Sequence, residues 1–308
     1  MKTAVITGSA GQDGHYLSQH LDELGYEVAG FDYDSTAVDI VDADSVARLL
    51  RERQPSEVYH LAAYHHSSQD KLTEDLEVFR KSNDVHTVAT ANFLDGIRRF
   101  SPSSRFFFAA SSHLFGIPPT PVQDENTPLA PDGLYGITKE AGLRLCHYYR
   151  EKYGVFAAVG ILYNHESPLR PAKFVSKKIV QAAVAIRAGR QKTLVLGDLD
   201  AQIDWGFAGD YVDAMHRILQ LPAAEDFVIA SGTAHRVRDF VEETFRVLGL
   251  NWEEHVVVDP TLLRGTTRVP LAGNPAKLRR LTGWEPQTSF QDLVHLMVSA
   301  EQAAGLHT

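Results

Sequence analysis

The chain of 308 residues contains a single cysteine, Cys146. An internal disulfide is thereby excluded, and a reducing, cytoplasmic setting is expected. No apolar run approaches the ~20 residues needed to cross a bilayer as a helix, so no membrane span is expected. No block of basic residues is present and the formal net charge is −9, which argues against a general nucleic-acid binder. Internal repeats, low-complexity tracts and flexible linkers are also missing. The N-terminus runs straight into an apolar segment and lacks the pattern of a secretory leader. Leu143, Leu145 and Tyr149 around Cys146 predict a buried helix position rather than a reactive thiol.

At this length the chain can bury a large core, as one α/β domain with an appended lobe or as two intimate domains. Thr3-Ala4-Val5-Ile6 reads as a first strand. Thr7-Gly8-Ser9-Ala10-Gly11-Gln12-Asp13-Gly14 follows, and then Tyr16, Leu17, Leu21 and Leu24 recur at helical spacing. Strand, glycine turn and helix are the context of a dinucleotide site. The glycines let the backbone approach a pyrophosphate, and the helix N-terminus supplies N–H donors and a positive dipole end. The spacing is G-x-x-G-x-x-G rather than the commoner G-x-G-x-x-G, and alone it also fits an ordinary glycine turn.

Further strands are predicted at 27–32, 57–61, 105–110 and 156–162, and helices at 44–53, 75–99 and 135–153. This alternation implies an α/β fold with a doubly wound parallel (Rossmann) sheet over 1–162. Segments near 202–233 return to it, including a strand at 227–230. Residues 163–308 mainly build a smaller α/β substrate-binding lobe. There 164–171 reads as a loop, 175–188 as a helix closed by Gly189, and 237–248 and the tail from 293 as helices. Residues 259–275 are loop-like and carry Arg264 and Arg268. A crevice is expected between the two parts at the C-terminal strand ends.

Asp32 closes the second strand, where a carboxylate accepts from both ribose hydroxyls and repels a 2′-phosphate; NAD is favoured over NADP. Asp39-Ile40 fall where an adenine-contacting pair can sit after a shortened second crossover. Leu61-Ala62-Ala63 end the third strand with small residues, against which a cofactor can lie. Tyr135-Gly136-Ile137-Thr138-Lys139 places a phenol and an ammonium on one helix face. The ammonium favours the phenolate and an oxidised nicotinamide would add further positive charge, so a tyrosine that ordinarily titrates near ~10 can act as a base closer to neutrality. Ser111-Ser112 end a buried strand, where a hydroxyl can hold a substrate oxygen against that tyrosine. His65 and His66 are adjacent and would face opposite ways on an extended chain. No third ligand stands at metal spacing, and no metal site is expected.

On these residues the chain resembles the extended short-chain dehydrogenases/reductases, and among them it is similar to the GDP-mannose 4,6-dehydratases. Asn164-His165-Glu166-Ser167-Pro168, Phe174 to Ile179, Asp204-Trp205-Gly206, Asp210-Tyr211-Val212 and Gly283-Trp284-Glu285-Pro286 extend the resemblance over nearly the whole chain. It implies that Tyr135 is the base at a sugar 4-hydroxyl and that Lys139 tunes it and holds the nicotinamide ribose. Ser111 stands for the family's catalytic threonine. Gly8, Gly11, Gln12, Asp13, Gly14, Asp32, Asp39, Ile40, Leu61, Ala62, Ala63, Tyr135, Lys139, His165 and Arg170 would face the cofactor. Ser111, Ser112, Asn164, Val175, Lys178 and Arg264 would face the nucleotide sugar.

The departures are specific. His113 stands where these dehydratases carry the glutamate that removes the C5 proton and helps expel the C6 hydroxyl. It would share a face with Ser111 if the strand continued; imidazole can shuttle protons but is shorter and differently shaped, and a packing or substrate-contact histidine is the other reading. Ile203 replaces an arginine expected at the diphosphate. The long loop after the second strand, which in the family carries arginines for the NADP 2′-phosphate and helps build a tetramer, is missing; this agrees with NAD and leaves a homodimer as the assembly the resemblance implies. The expected activity is NAD-dependent oxidation at C4 of a GDP-hexose or GDP-heptose, followed by 4,6-dehydration. The alternatives are 4-epimerisation or net oxidation or reduction at C4 without dehydration, and a non-catalytic NAD-binding regulator.

Overall fold

The computed structural model describes residues 1–32, 38–65, 74–262 and 270–305. In chain order its strands are β1 (Thr3–Thr7), β2 (Glu27–Phe31), β3 (Glu57–His60), β4 (Arg105–Ser111), β5 (Val122–Gln123), β6 (Ala157–Leu162) and β7 (Asn164–Glu166). They continue with β8 (Leu194–Leu196), β9 (Gln202–Phe207), β10 (Asp226–Ile229), β11 (Ala234–Arg236), β12 (Val256–Val258) and β13 (Ala272–Gly273). The helices are α1 (Gln12–Glu23), α2 (Ala43–Arg53), α3 (Asp75–Asn83), α4 (Ala89–Phe100) and α5 (Leu134–Tyr153). After them come α6 (Val175–Arg187), α7 (Ala208–Gln220), α8 (Val237–Val247), α9 (Ala276–Thr282) and α10 (Phe290–Gly305).

The six strands β10-β6-β4-β3-β1-β2 form one parallel sheet. Apolar runs such as Phe106-Phe107-Phe108 are buried on both faces, as parallel strands between helical layers require. One face packs with α2, α4 and α5 through Leu50, Phe93, Ile97, Phe106 and Leu143. The other packs with α1 and α7 through Leu17, Leu21, Tyr211, Met215 and Ile218. The chain leaves β1 toward β2 and then crosses to β3 on the opposite side, so the order reverses between β1 and β3. Such a switch point opens a crevice at the carboxyl ends of the strands. A third core, built by α6, α8, α10 and β9 around Trp205, Phe240 and Met297, forms the lobe beside it.

Local signals explain the element ends. Asp42 caps α2 by accepting from the Asp44 N–H at 3.1 Å. Gly154 ends α5 at φ +69°. Cys146 is fully buried, and burial pushes its thiol up out of the reactive range.

Three readings need correction. The stretch expected as one helix over 75–99 is broken by a π-helical turn, Asp84–Val88, between α3 and α4. Residues 164–166 are a strand, not loop, pairing in parallel with β9. The last helix begins at Phe290 rather than near 293. Among the described residues no helix is long and apolar enough to cross a membrane.

Candidate active site

The turn between β1 and α1 is shaped by atoms that are not there. Gly8 has φ +74°, and a Cβ on it would lie 2.9 Å from the Ala62 nitrogen. A Cβ on Gly14 would lie 2.3 Å from the Gly8 carbonyl oxygen and 2.5 Å from the Ser9 Cα. The Gly8 N–H donates to the Phe31 carbonyl at 2.8 Å and the Gly11 N–H to that of Gly8 at 3.1 Å. Gly11 stands at the N-cap of α1 and supplies no side-chain cap, so the first N–H groups of the helix are left for an anion. The Asp32 carboxylate lies across the turn and accepts from the Ala10 N–H at 2.7 Å. The Leu61 N–H donates to the Thr7 carbonyl at 3.2 Å and the Ala62 N–H to the Thr7 hydroxyl at 3.3 Å, which brings 61–63 against the turn. Asp39 accepts from the Val41 N–H at 2.9 Å, and the Ile40 carbonyl accepts from Asn92 at 3.0 Å, fixing that pair beside α2 and α4. A close-approach backbone, bare helix donors and a carboxylate at the strand end fit a dinucleotide.

The turn is riveted to the segment after β6. The Gln12 amide donates to the His165 carbonyl at 3.0 Å and accepts from the Ser167 hydroxyl at 2.8 Å. His165 Nε2 meets Asp13 Oδ2 at 2.8 Å, and Nδ1 meets the Tyr163 carbonyl at 2.7 Å. Both ring nitrogens are thus taken by protein acceptors, and His165 acts on the turn through Asp13. Burial pushes the Asp13 carboxyl up, but the His165 charge and hydrogen bond outweigh it and the net shift is downward. Burial pushes His165 down, but Asp13 outweighs it and the net shift is upward. The acid's contribution is present above its unfolded value and lost as pH falls; the imidazole's is present below its unfolded value and lost as pH rises. Both are complete between about pH 4 and 6.5. Asp13→Asn is therefore expected to destabilise by roughly 3 kcal/mol in that window, and the gap to wild type should narrow at higher pH. Denaturant titrations over pH would read it.

Tyr135 and Lys139 lie one turn apart at the start of α5. Lys139 is fully buried; its ammonium donates to the Ala109 carbonyl at 2.7 Å and stands 5.7 Å from the centroid of the Tyr135 ring. Burial lowers Lys139 to about 7, with Asp13 acting in the opposite sense. Burial raises the Tyr135 phenol, against the Arg170 charge and with that of Asp13. In the protein alone desolvation wins, so the expected lowering of the phenol would need the positive charge of an oxidised nicotinamide beside that of Lys139.

Three imidazoles stand edge-on to the Tyr135 ring: His86 at 5.1 Å, His65 at 5.2 Å and His113 at 5.6 Å between centroids. His113 does not share a strand face with Ser111. β4 ends at Ser111, whose hydroxyl accepts from the His113 N–H at 3.3 Å and caps a 3-10 turn over Ser112–Phe115. That turn, not strand alternation, delivers His113 to Tyr135. Gly136 allows the approach, since a Cβ there would meet the His113 carbonyl at 2.7 Å. Ser112 is buried beneath it.

Arg170 lies against Glu166 at 3.0 Å and its guanidinium covers the Phe174 ring at 3.5 Å, while Phe174 touches His65. Glu166 is buried and accepts from the Ser176 hydroxyl at 2.6 Å. Asn164 pairs with Trp205 in the small sheet, and Val175 opens α6. The Lys178 ammonium donates to the Val195 carbonyl at 2.9 Å, on the lobe side. Ile203 packs against the lobe core. Arg264, Arg268 and His66 lie outside the described residues. His65, His86, Thr138 and Phe174 were not among the expected site residues. His65 was weighed only as half of a metal pair, and His86 gave no signal inside a helical pattern.

The GDP-mannose 4,6 dehydratase family pattern matches residues 32–297. GDP-mannose 4,6 dehydratase 1 of Arabidopsis thaliana is 36% identical over 329 aligned residues, covering 97% of this chain and 90% of the relative. The human GDP-mannose 4,6 dehydratase is 35% identical, covering 97% and 91%. Among solved structures, RMD from Pseudomonas aeruginosa complexed with NADPH superposes with TM-score 0.84 at 22% identity, over 99% of this chain and 100% of that one. A Thermus thermophilus UDP-glucose 4-epimerase in complex with NAD gives 0.82 at 23%, over 98% and 99%. These last two share the fold. The chain belongs to the GDP-mannose 4,6-dehydratase family of extended short-chain dehydrogenases/reductases, enzymes that modify nucleotide sugars.

Proposed function

We propose that this protein oxidises C4 of a GDP-linked hexose or heptose with NAD and then dehydrates the sugar across C5 and C6. The observation that carries the reading is the approach of Lys139 and His113 to Tyr135, with Ser111 capping the turn that brings His113 there and Asp13 of the glycine turn near enough to act on Tyr135 and Lys139. Bound NAD would accept the hydride from C4. Tyr135 takes the 4-hydroxyl proton, which leaves a 4-keto sugar. Lys139, anchored on the Ala109 carbonyl, holds the nicotinamide ribose and keeps positive charge near the phenol. Ser111 holds the substrate oxygen, and Lys178 and Asn164 line the nucleotide-sugar side. His113, edge-on to Tyr135, is placed to take the C5 proton and pass it to the departing C6 hydroxyl, which leaves as water; C6 then regains the hydride that C4 gave up as a proton is added at C5. In this reading the enzyme is a homodimer, with exposed Leu76, Phe79, Ile137, Tyr148 and Tyr153 along α3 and α5 as the face to be covered.

His113 itself favours a second reading. An imidazole replaces the carboxylate, so C4 oxidation can end in 4-epimerisation or in net oxidoreduction instead. One experiment separates the two: GDP-sugars incubated in deuterated buffer with NAD or NADP, using wild type and His113→Ala. Deuterium at C5 that disappears in the variant, with NAD as the better oxidant, supports dehydration. C4 oxidation without C5 exchange sinks dehydration and leaves the second reading. NADP outperforming NAD refutes the role of Asp32, and no C4 oxidation at all leaves a non-catalytic NAD-binding protein.

A further inference from the structure

We propose that His86, a residue with no part in the chemistry above, is a positioning residue that locks the Tyr135 helix to the cofactor-side segment 61–64. His86 is fully buried and sits in the π-helical turn between α3 and α4. Its Nε2 lies 3.2 Å from the Tyr64 backbone nitrogen. A backbone N–H can only donate, so Nε2 is the unprotonated nitrogen and Nδ1 carries the hydrogen. Nδ1–H then donates to the Thr138 hydroxyl at 2.9 Å. That hydroxyl donates onward to the Leu134 and Tyr135 carbonyls, each at 3.1 Å. The imidazole edge also abuts the Tyr135 ring at an interplanar angle of 85°.

The result is one directed chain from the segment that follows β3 through the π turn into the first turn of α5. The Tyr64 backbone N–H fixes the tautomer, and the one Thr138 hydrogen is shared between two carbonyls of the same helical turn. Burial and the Lys139 charge hold the imidazole neutral, which this chain requires. The surrounding structure is built for close approach. A Cβ on Gly142 of α5 would lie 2.6 Å from the His86 carbonyl, and the Thr90 hydroxyl caps that same carbonyl at 2.8 Å. A π turn inside a helix is a common mark of a functional position. A core histidine needs only satisfied nitrogens; this one spends both on the two segments whose separation sets where the phenol meets the cofactor.

The inference rests on Tyr135 being the base, and its test keeps the two ideas apart. His86→Ala, His86→Gln and Thr138→Val are compared by hydrogen exchange at the Tyr64 amide and by kcat and KM for C4 oxidation. His86→Ala should speed Tyr64 exchange and lower kcat by about 10²-fold with KM within about twofold, because a small misplacement of a reacting group costs that much. His86→Gln restores an acceptor for Tyr64 and should recover about tenfold of the loss. Thr138→Val breaks the same chain, so the double variant with His86→Ala should lose no more than His86→Ala alone. Unchanged Tyr64 exchange in His86→Ala and His86→Gln overturns the lock. Faster exchange with wild-type kcat, or additive losses in the double variant, overturns positioning. A wild type inactive on every GDP-sugar overturns the functional reading and with it the kinetic role, while Tyr64 exchange still decides whether the lock exists.

Discussion

Tyr135→Phe lowers kcat for C4 oxidation by about 10³-fold while NAD affinity and unfolding temperature stay near wild type; this is the expected result, and the scale is that of one lost general base. Among the described residues the Tyr135 hydroxyl has no hydrogen-bonded protein partner, so its removal leaves no buried group unsatisfied. The ring keeps its three imidazole neighbours. The loss therefore falls on the step that needs the oxygen. The phenol of the protein alone is held up by burial, and its charged neighbours Arg170 and Asp13 nearly frame it. Added positive charge in the crevice is what would bring it toward working pH. Stopped-flow reduction of NAD at saturating sugar measures the step directly. A variant that retains turnover within tenfold would remove Tyr135 from the chemistry.

Gly14→Ala is expected to abolish NAD binding at millimolar concentration and to cost about 3 kcal/mol of stability. The added methyl would sit 2.3 Å from the Gly8 carbonyl and 2.5 Å from the Ser9 Cα, both of them backbone, so no side chain can swing away. The turn must open, and opening moves the N–H groups of α1 from the position that receives a pyrophosphate. Gly133→Ala is the control. It caps the N-terminus of α5 in an extended conformation, φ −136°, with nothing within 4 Å of the added atom. It should bind NAD and unfold like wild type. Calorimetric titration and thermal melts of the two variants decide the matter, and equal behaviour would mean that the glycine turn is only a turn.

The parts of this molecule that local pattern controls were readable from the chain. The strand–glycine–helix unit, the βαβ alternation and the Tyr135–Lys139 pair depend on periodicity and on glycine chemistry within a few residues, and each is where the sequence placed it. What escaped depends on one inserted residue or on a third dimension. The apolar stripe through Val78, Phe93 and Ile97 reads as continuous helix, and the extra residue of the π turn that turns His86 inward leaves no trace in it. β7 is three residues long and exists only because β9 lies beside it. His113 reaches Tyr135 through a 3-10 turn that strand alternation cannot foresee. The titration of Tyr135 is set by burial, which no spacing of tyrosine and lysine encodes. Arg264 falls outside the described residues and is untouched by these findings.

The bonds from Gln12 and Asp13 to His165 and Ser167 also bear on how the molecule can move. They join the glycine turn to a segment some hundred and fifty positions later in the chain, β7 and the residue after it. β7 is paired in turn with β9, and Glu166 accepts from Ser176 of α6, so the same segment is bonded to the lobe as well. A clamshell swing of the lobe over a bound sugar would pull on the bonds at both ends of this segment, so the floor of the crevice is where such a motion meets most resistance.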